Sequence, residues 1–332
     1  MANIKEVARL AGVSTSTVSR ALSNKVPVEE ATRQRVLQAV RQLGYRPNLM
    51  AKGLKEGYSR TIALIIPDII NPFFPKLVKC FEHRALDCGY SLILCDSGGD
   101  EEMESRHLES MKSHYIDGVL YISVVKGADR ARMLKDAGVP VVVVNRAYDV
   151  GIPCITNDNR HGSVTMIDYL VECGHRKISC LVAPIRSQHY EQRYQGCLEA
   201  FAKHGIDDYE KYMVKNVHTV EDAYTATKKL LSRKDRPTAI FAFIDFVTIG
   251  VYSGASDCGL SVPGDVSVAG FDNISISPHM IPPLTTYDHP VERIAERAME
   301  ELLRLINGEG DEEARNYEMS GSLVVRKSVK CL

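Results

Sequence analysis

Apolar and polar positions over Ile4–Asn24 follow the spacing of two short helices joined by a tight turn. In the first segment, apolar residues recur at i, i+3, i+4 and i+7 on one helical face: Ile4, Val7, Ala8 and Ala11. Asn3 is predicted to cap this helix, with Glu6 completing a capping box, and Gly12 supplies the positive φ that ends it. Ser14 is predicted to cap the second helix. The inward face of that helix comprises Val18, Ala21 and Leu22.

The outward face of the second helix carries small hydroxyl residues and one guanidinium: Thr15, Ser16, Ser19 and Arg20. Such a face suits a helix in the major groove, where Ser and Thr meet base edges or phosphates and Arg forks onto guanine. Helix-turn-helix shapes also occur in all-α folds that never touch DNA, so geometry alone leaves both interpretations open. A third amphipathic helix, predicted over Glu29 to Leu43, buries the first two.

From Arg60 onward, β-branched runs alternate with helical stretches, and the rhythm restarts after Asn157. The predicted strands are Thr61 to Pro67, Tyr90 to Cys95, Gly118 to Ser123, Val139 to Val144, Lys177 to Ala183, Tyr212 to Val217, Ala239 to Phe243, Ser267 to Gly270, and one near Gly321 to Arg326. Because the runs are continuously apolar, they predict parallel sheets covered on both faces. The predicted fold class is an N-terminal all-α helix-turn-helix domain plus an α/β two-lobed core with two parallel doubly wound sheets. A ligand cleft is expected at the strand ends between the lobes.

The length of the chain and the uneven distribution of its charge agree with a small N-terminal domain, the head, attached to a larger domain. At 332 residues, with 45% hydrophobic and 25% charged residues, the chain is an ordinary globular protein of two or three domains. Residues 1–58 hold ten Lys and Arg against four Glu, a net charge of +6, so the overall charge of −1 leaves −7 for the rest. A basic head on an acidic body is typical of a nucleic-acid-binding module.

Several classes of protein are excluded by missing patterns. No apolar run is long enough to span a bilayer and the opening residues lack an apolar signal core, so we expect a cytoplasmic location. The nine cysteines are scattered without a CxxC pair, which argues against a disulfide framework or a zinc site. No P-loop, GxSxG, HExxH or glycine-rich dinucleotide turn occurs. We predict a protein that is not an enzyme and has no catalytic residue, metal or cofactor.

The stretch VARLAGVSTSTVSRALSN (Val7 to Asn24) resembles the DNA-reading segment of the lactose-repressor (LacI) family, whose pattern runs roughly DVAxxAGVSxxTVSRxLN. Glu6 stands where the family usually has Asp. Later stretches resemble the sugar-binding-protein-like core of the family: PDIINPFF, YIDGVL, CGHRKI, RYQGCLEAF, SVPGDVSVAGFDN and IPPLTTYDHP. The resemblance covers essentially the whole chain. It implies a helix-turn-helix domain at 1–47, a hinge helix and linker at 48–58, and an effector-binding and dimerisation core at 59–332. Within the core, lobe 1 is expected at about 59–158 and 290–318, and lobe 2 at about 159–289 and 319–332.

The resemblance also adds candidate DNA contacts after the third helix. Tyr45 and Arg46 are candidate phosphate contacts, with a solvated loop as the alternative. The segment NLMAKGLK, Asn48 to Lys55, is too short to form a helix alone in water and by itself predicts a flexible linker. In the family it is a hinge helix that pairs with its partner's copy and opens the minor groove. The resemblance places Ala51 at the groove floor and Leu54 at the wedge that unstacks a base step, followed by Lys55.

Candidate effector contacts are few and polar, with an aromatic pair. Arg193 and Asp272 can grip paired hydroxyls and lie where the family grips its effector, although Arg193 also suits a helix surface and Asp272 an Asx-turn. Of Phe73 and Phe74, one is expected in the core and the other as a stacking face. The resemblance assigns further ligand contacts to Ser187, His189 and His218; for His218 a solvated or structural role is the alternative.

One pair departs from the family pattern. Ile244-Asp245 stands where members often have Asn-Asp, Ser-Asp or Thr-Asp. Because Ile244 stands in place of a polar side chain that could bind a hydroxyl group, we expect a sugar effector that makes fewer polar contacts on this side of the cleft. Asp245 either points into the cleft or caps the following helix.

Together these features predict a sequence-specific DNA-binding transcription regulator, a repressor whose operator affinity is switched by a small effector bound between two lobes. The expected partners are a pseudo-palindromic operator, a second copy of the chain in a homodimer, and a sugar or sugar derivative; no membrane partner is expected. The protein would associate with the nucleoid when bound to its operator. The alternative is a solute-binding protein of the same core fold that does not bind DNA. Such a protein needs an export signal and lacks a basic head, whereas this sequence shows the opposite.

Overall fold

The computed structural model describes residues 2–23, 27–45, 58–113, 116–123, 127–185, 187–309 and 315–332. The chain divides into two compact units, residues 1–59 and 60–332. Among the described residues, no helix combines the length and the apolar character needed to cross a bilayer.

The first unit is built from three helices: α1 (Ile4–Ala11), α2 (Thr15–Ser23) and α3 (Glu30–Leu43). Asn3 Oδ1 accepts the Glu6 N–H at 3.1 Å and Glu6 Oε2 accepts the Asn3 N–H at 3.0 Å, so the predicted capping box is present. Gly12 takes the left-handed φ of 66° that ends α1. A small core of aliphatic side chains holds the helices together: Val7, Ala8, Ala11, Val18, Ala21, Val36 and Ala39.

Strands and helices alternate through the second unit. The first run comprises β1 (Thr61–Ile66), α4 (Phe73–Asp87), β2 (Ser91–Asp96), α5 (Glu101–Ser113), β3 (Gly118–Tyr121), α6 (Gly127–Asp136), β4 (Val141–Val144) and β5 (Cys154–Asn157). The second run comprises α7 (Asn159–Glu172), β6 (Ile178–Val182), α8 (Gln188–Lys203), β7 (Met213–Lys215), α9 (Val220–Leu231), β8 (Ala239–Ala242), α10 (Thr248–Asp257), β9 (Ser267–Asp272) and β10 (Thr285–Asp288). The last elements are α11 (Val291–Ile306), β11 (Asn316–Met319) and β12 (Ser322–Val324).

Two sheets organise these elements into lobes. The sheet of the first lobe has the order β11-β5-β4-β3-β1-β2 and all its pairs are parallel. Its strands are continuously apolar because both faces are covered: Ile62, Leu64 and Ile66 pack with α4 and α11, whereas Ala63 and Ile65 pack on the opposite face. The sheet of the second lobe has the order β12-β10-β9-β8-β6-β7.

The predicted fold class is confirmed, with differences in the strands that join the lobes. Strand β12 pairs antiparallel with β10, so the second sheet is mainly rather than wholly parallel. The chain passes between the two sheets after β5, β10 and β11. The hydrophobic pattern did not predict these three strands, because they are short and partly polar: CITN, TTYD and NYEM.

Candidate functional site

Helix α2 presents its hydroxyl-rich face to the outside. The exposed side chains on this face are those predicted for DNA contact: Thr15, Ser16, Ser19 and Arg20. Ser14 Oγ accepts the Thr17 N–H at 3.1 Å, which caps α2 and fixes the direction in which its first turn points. The opposite side of α2 is fixed by Val18 and Ala21 in the helical core. The start of α2 therefore presents an exposed polar face, the kind of face that helix-turn-helix proteins place in the major groove.

Of the other predicted DNA contacts, the structure describes only Tyr45. Tyr45 packs partly against the core of the head, and its backbone N–H donates a hydrogen bond to the Val40 carbonyl oxygen at 3.0 Å. The predicted contacts at Arg46, Ala51, Leu54 and Lys55 lie outside the described residues.

A cavity of about 320 Å³ lies in the second unit where the strands of both lobes end. The described residues that line it from the first lobe are Pro67, Asp68, Asn71, Phe74, Gly98, Gly99, Ile122, Ser123 and Asn145. Those from the second lobe are Pro184, Ser187, His189, Tyr190 and His218. Each group follows the carboxyl end of a parallel strand or starts the next helix, which is where open α/β sheets bind ligands.

The first-lobe wall combines an aromatic face with polar groups. Phe74 lines the cavity, whereas Phe73 is buried in the core and contacts the His289 ring edge-on, with 5.4 Å between centroids. Asn71 Oδ1 accepts the Phe73 N–H at 3.1 Å and so orients the start of α4. Asn145, which takes a positive φ of 67° directly after β4, accepts a hydrogen bond from Asn157 Nδ2 at 2.9 Å.

The second-lobe wall is formed around the start of α8. Ser187 Oγ and His189 Nε2 lie 3.2 Å apart, and the His189 and Tyr190 rings contact each other with centroids 4.0 Å apart. Burial, followed by the charges of Arg193 and Arg146, lowers the pKa of His189 well below its usual value. At neutral pH His189 therefore offers one ring donor and one ring acceptor without a positive charge. Its Nδ1 is buried and has no hydrogen-bond partner among the described residues.

Arg193 and Asp272 meet, but inside the second lobe. Arg193 is 3% exposed and its NH2 donates to Asp272 Oδ1 at 3.0 Å and to His289 Nε2 at 3.1 Å. Its Nε donates to Asn159 Oδ1 at 2.9 Å and its NH1 to the Phe243 carbonyl. The guanidinium also lies 3.9 Å from the centre of the Phe271 ring. Arg193 thereby joins α8 to the ends of β8 and β9, and neither it nor Asp272 is among the described residues that line the cavity.

Asp245 is fully buried in a second polar cluster. Its carboxylate accepts hydrogen bonds from Ser277 Oγ at 2.6 Å, Thr286 Oγ1 at 2.7 Å and the Ile274 N–H at 3.2 Å. Burial, reinforced by the negative charge of Asp272, raises the pKa of Asp245 to about 7. Among the described contacts, Asp245 makes no helix-cap hydrogen bond, and it is not among the described residues that line the cavity. Ile244 is likewise buried in the core of the second lobe.

Four of the eight residues predicted to contact the effector line the cavity. The members that line it are Phe74, Ser187, His189 and His218. Phe73, Arg193, Asp245 and Asp272 lie behind the wall, and effector contact by them stays a prediction. Sequence reasoning missed Asp68, Asn71, Ser123, Asn145 and Tyr190. The signal that could have found them is position, because each follows the end of a parallel strand or begins the next helix.

This architecture, a helix-turn-helix head followed by a two-lobed ligand-binding core, defines a class of ligand-responsive transcription regulators. Residues 3–48 match the model of bacterial regulatory proteins of the lacI family, and residues 167–329 match a periplasmic binding protein-like domain. The HTH-type transcriptional repressor PurR of Photobacterium profundum is 34% identical over 334 residues, covering 100% of both chains. The chain belongs to the lacI family, and it is a DNA-binding repressor with an effector-binding core rather than an enzyme.

Solved structures agree with this assignment. The transcriptional regulator CelR in complex with cellobiose is 28% identical, with a TM-score of 0.75 over 99% of this chain and 100% of that one. The lac repressor dimer bound to operator and the anti-inducer ONPF has a TM-score of 0.88 at 24% identity over 99% of both chains, and supports the fold alone.

Proposed function

We propose that this protein represses transcription by binding a pseudo-palindromic operator as a homodimer, and that a small sugar or sugar derivative in the cleft changes its operator affinity. The observation that carries the proposal is the exposed hydroxyl and guanidinium face of α2 in a chain of this family that also has a cavity between two lobes. A protein with this task works in the cytoplasm, on the nucleoid.

In the head, Arg20 is proposed to read a base and Thr15, Ser16 and Ser19 to contact base edges or phosphates. These hydroxyl side chains are short and reach little of a base edge, so Arg20 carries a large share of the discrimination at its position. Tyr45 and Arg46 are proposed to contact phosphates. Ala51, Leu54 and Lys55 are proposed to act in the minor groove as a hinge, where Leu54 unstacks a base step.

The homodimer is supported by apolar surface on the core. Strand β2 is the edge of the first sheet, and it exposes Ile93 and Leu94 to 45% and 39% beside the 60% exposed Leu86. An unpaired edge strand with exposed aliphatic side chains is a liability unless another chain covers it. In the second lobe, Ile281 is 91% exposed and lies near the exposed Ile276 in sequence. A two-fold dimer that buries both patches removes this apolar area from water.

The cleft chemistry supports a small ring with several hydroxyl groups. Phe74 and Tyr190 provide aromatic faces, and hydroxyl, amide and imidazole groups of Ser123, Asn145 and His189 can fix the orientation of the ring. CelR, a relative by structure, is described in complex with cellobiose, so this fold can bind a sugar; the effector proposed here is smaller and has fewer hydroxyl groups than that disaccharide. Coupling follows by linkage: an effector that favours one arrangement of the lobes changes DNA affinity only if that arrangement alters how the two heads are held.

The function is tested first at the DNA. A genome-wide footprint of the bound protein is expected to give a two-fold symmetric site, and a gel shift on that site measures variants. Arg20→Ala should relax discrimination at one base pair by about 1–3 kcal/mol, whereas Arg9→Ala, an exposed charge on α1, should keep it. Leu54→Ala should weaken operator binding while effector binding is preserved. Equal operator affinity of the Leu54→Ala protein would refute the hinge assignment.

The effector is identified by thermal shift with sugars, uronates, sugar phosphates and nucleobases. Stabilisation by a monosaccharide or its derivative supports the proposal, and stabilisation only by a nucleobase or only by a highly hydroxylated disaccharide overturns it. Adding the active compound to the gel shift then gives the sign of regulation.

The dimer is tested by sedimentation. Ile93→Glu places a charge on the apolar edge and should produce monomers, whereas Val325→Glu, at a 56% exposed position elsewhere, should not. A dimer that persists in Ile93→Glu would show that this edge is not the interface.

A further inference from the structure

Two of the nine cysteines lie in direct contact although they are far apart in sequence. The Sγ atoms of Cys173 and Cys331 are 2.8 Å apart. Cys173 is 5% exposed at the end of α7, whereas Cys331 is exposed. A disulfide bond holds two sulfurs about 2.05 Å apart, so this pair needs to approach by less than about 1 Å.

The backbone around these thiols holds them side by side. The Leu332 N–H donates to the Cys173 carbonyl at 2.9 Å, directly beside the two sulfurs. His175 lies two residues after Cys173 and Lys330 lies one residue before Cys331, and His175 Nε2 is 3.1 Å from the Lys330 carbonyl oxygen. The Lys330 N–H also donates to Ser267 Oγ at 3.0 Å, which ties the segment to β9. These hydrogen bonds hold the two chain segments together, so the two thiols remain close neighbours.

We propose that Cys173 and Cys331 form a reversible redox-modification site whose oxidant is a peroxide. In the first step, the Cys331 thiolate attacks one oxygen of hydrogen peroxide, the O–O bond breaks, and Cys331 becomes a sulfenic acid while hydroxide leaves. In the second step, the Cys173 sulfur attacks the Cys331 sulfur, the S–O bond breaks, and the hydroxyl leaves as water with the Cys173 proton. Two thiols and one peroxide give one disulfide and two water molecules, and a dithiol reductant reverses the reaction.

The environments of the two sulfurs set the order of attack. Burial and the neighbouring Cys331 raise the pKa of Cys173 to about 11, so Cys173 is a thiol at neutral pH and reacts slowly with peroxide. Cys331 is reachable from solvent and takes the first step. Cys173 is then the resolving thiol, because it lies beside the sulfenic acid as soon as that group forms.

The disulfide would fasten a segment that contributes to the second lobe. In this segment, Ser328 Oγ donates to the Val268 carbonyl at 2.6 Å and accepts the Thr285 N–H at 2.7 Å. Arg326 NH2 donates to Asn273 Oδ1 at 2.7 Å, next to Asp272 in the buried cluster. The disulfide closes a long loop between α7 and this segment, so it should stabilise the lobe by restricting the unfolded chain. Disulfides that form in a reducing compartment are mostly transient and redox-sensing, which agrees with a reversible site.

The experiment uses the purified full chain, treated with one equivalent of hydrogen peroxide, blocked with N-ethylmaleimide and digested without reductant. We expect a peptide cross-linked through Cys173 and Cys331, loss of two of the nine free thiols, and a melting temperature several degrees higher that dithiothreitol returns to its starting value. Cys331→Ser should abolish all three effects. Cys88→Ser is the matched control, because Cys88 is also exposed but has no described sulfur contact, and it should leave them unchanged.

Three results would overturn the proposal. They are equal alkylation of Cys173 before and after peroxide, a cross-link between two chains instead of within one, and a Cys331 sulfenic acid that dimedone traps without disulfide formation. Cys173→Ser distinguishes loss of the resolving thiol from a folding defect. This variant should keep the native melting temperature within a few degrees, and after peroxide treatment it should accumulate the Cys331 sulfenic acid. This site is independent of the proposed DNA and effector functions, so it can fail or succeed without them.

Discussion

Asp245 makes the stability of the second lobe depend on pH in a way that one substitution should remove. The carboxyl is fully buried, accepts three hydrogen bonds, and has its pKa raised to about 7 by burial and by the charge of Asp272. Asp245→Asn keeps the shape of the side chain but cannot ionise. With the amide oxygen at the position of Oδ2, the Ile274 N–H and Ser277 Oγ keep their acceptor, and the Thr286 hydroxyl can rotate to accept from the new NH2 at the position of Oδ1.

The sign follows from proton binding. Below pH 3.8, the ordinary pKa of the carboxyl, it is protonated in both folded and unfolded chains and has no effect. Between pH 3.8 and about 7 the folded protein keeps a proton that the unfolded chain has lost, so the free energy of unfolding falls as pH rises. Each pKa unit corresponds to about 1.4 kcal/mol, so the loss reaches about 4 kcal/mol and levels off above pH 7. The variant should avoid this loss, and its stability relative to the native protein should rise across the same range.

The measurement is urea unfolding from pH 5 to pH 8, followed by circular dichroism because the chain has no tryptophan. Buried histidines with lowered pKa values, such as His289 and His189, change stability in the opposite direction, but they contribute equally to both proteins and cancel in the difference. Asp222→Asn is the matched control. Hydrogen bonds from Thr219 and His218 lower the pKa of Asp222, so it is ionised in both states throughout this range and its difference from the native protein should stay constant.

A constant stability difference between Asp245→Asn and the native protein from pH 5 to pH 8 would refute the reasoning. It would mean that the three hydrogen-bond donors outweigh burial and keep the carboxylate ionised in the folded protein. A difference that falls as pH rises would contradict the assigned sign.

Four further predictions concern the cleft and the clusters behind it. Arg193→Met should destabilise the second lobe by about 3–5 kcal/mol, because it leaves Asp272 buried without its cation; urea unfolding measures this, and partly restored stability in the Arg193→Met, Asp272→Asn double variant, which removes the charge and tolerates the positive φ of 118° at this position, would identify the unpaired charge as the cause. Gly270→Ala should also destabilise, since an added Cβ would lie 2.0 Å from Asp245 Oδ1, and a native melting temperature would contradict it. Gln188→Ala removes the acceptor of the Ala147 N–H, a 2.9 Å bond between the lobes, and should lower the free energy of unfolding by about 0.5–1.5 kcal/mol; urea unfolding measures this, and unchanged stability would contradict it. Tyr190→Ala should weaken effector binding more than His83→Ala, a change outside the cavity lining; equal affinities would remove Tyr190 from the site.

Features set by neighbouring residues were predictable from the sequence. The capping box of Asn3 and Glu6, the end of α1 at Gly12 and the outward face of α2 depend on contacts within a few positions, so the local pattern determines them. The same holds for strands such as β1, which is buried on both faces and therefore continuously apolar. The family resemblance assigned Ser187 to the cleft and left open which of Phe73 and Phe74 would face it; Ser187 and Phe74 line the cavity.

Features set by distant residues were decided only by the tertiary structure. Strands β5, β10 and β11 form because residues from other parts of the chain offer them hydrogen-bonding partners, and their short, polar sequences give no periodic signal. Arg193 suited a cavity contact by its chemistry, yet Asn159, Asp272 and His289 surround it and take up its hydrogen bonds within the lobe. The local sequence determined the helices and the continuously apolar strands, and the chemical groups that they carry. Which of those groups face one another across the fold depends on packing between segments far apart in the chain, and local patterns contain no information about that.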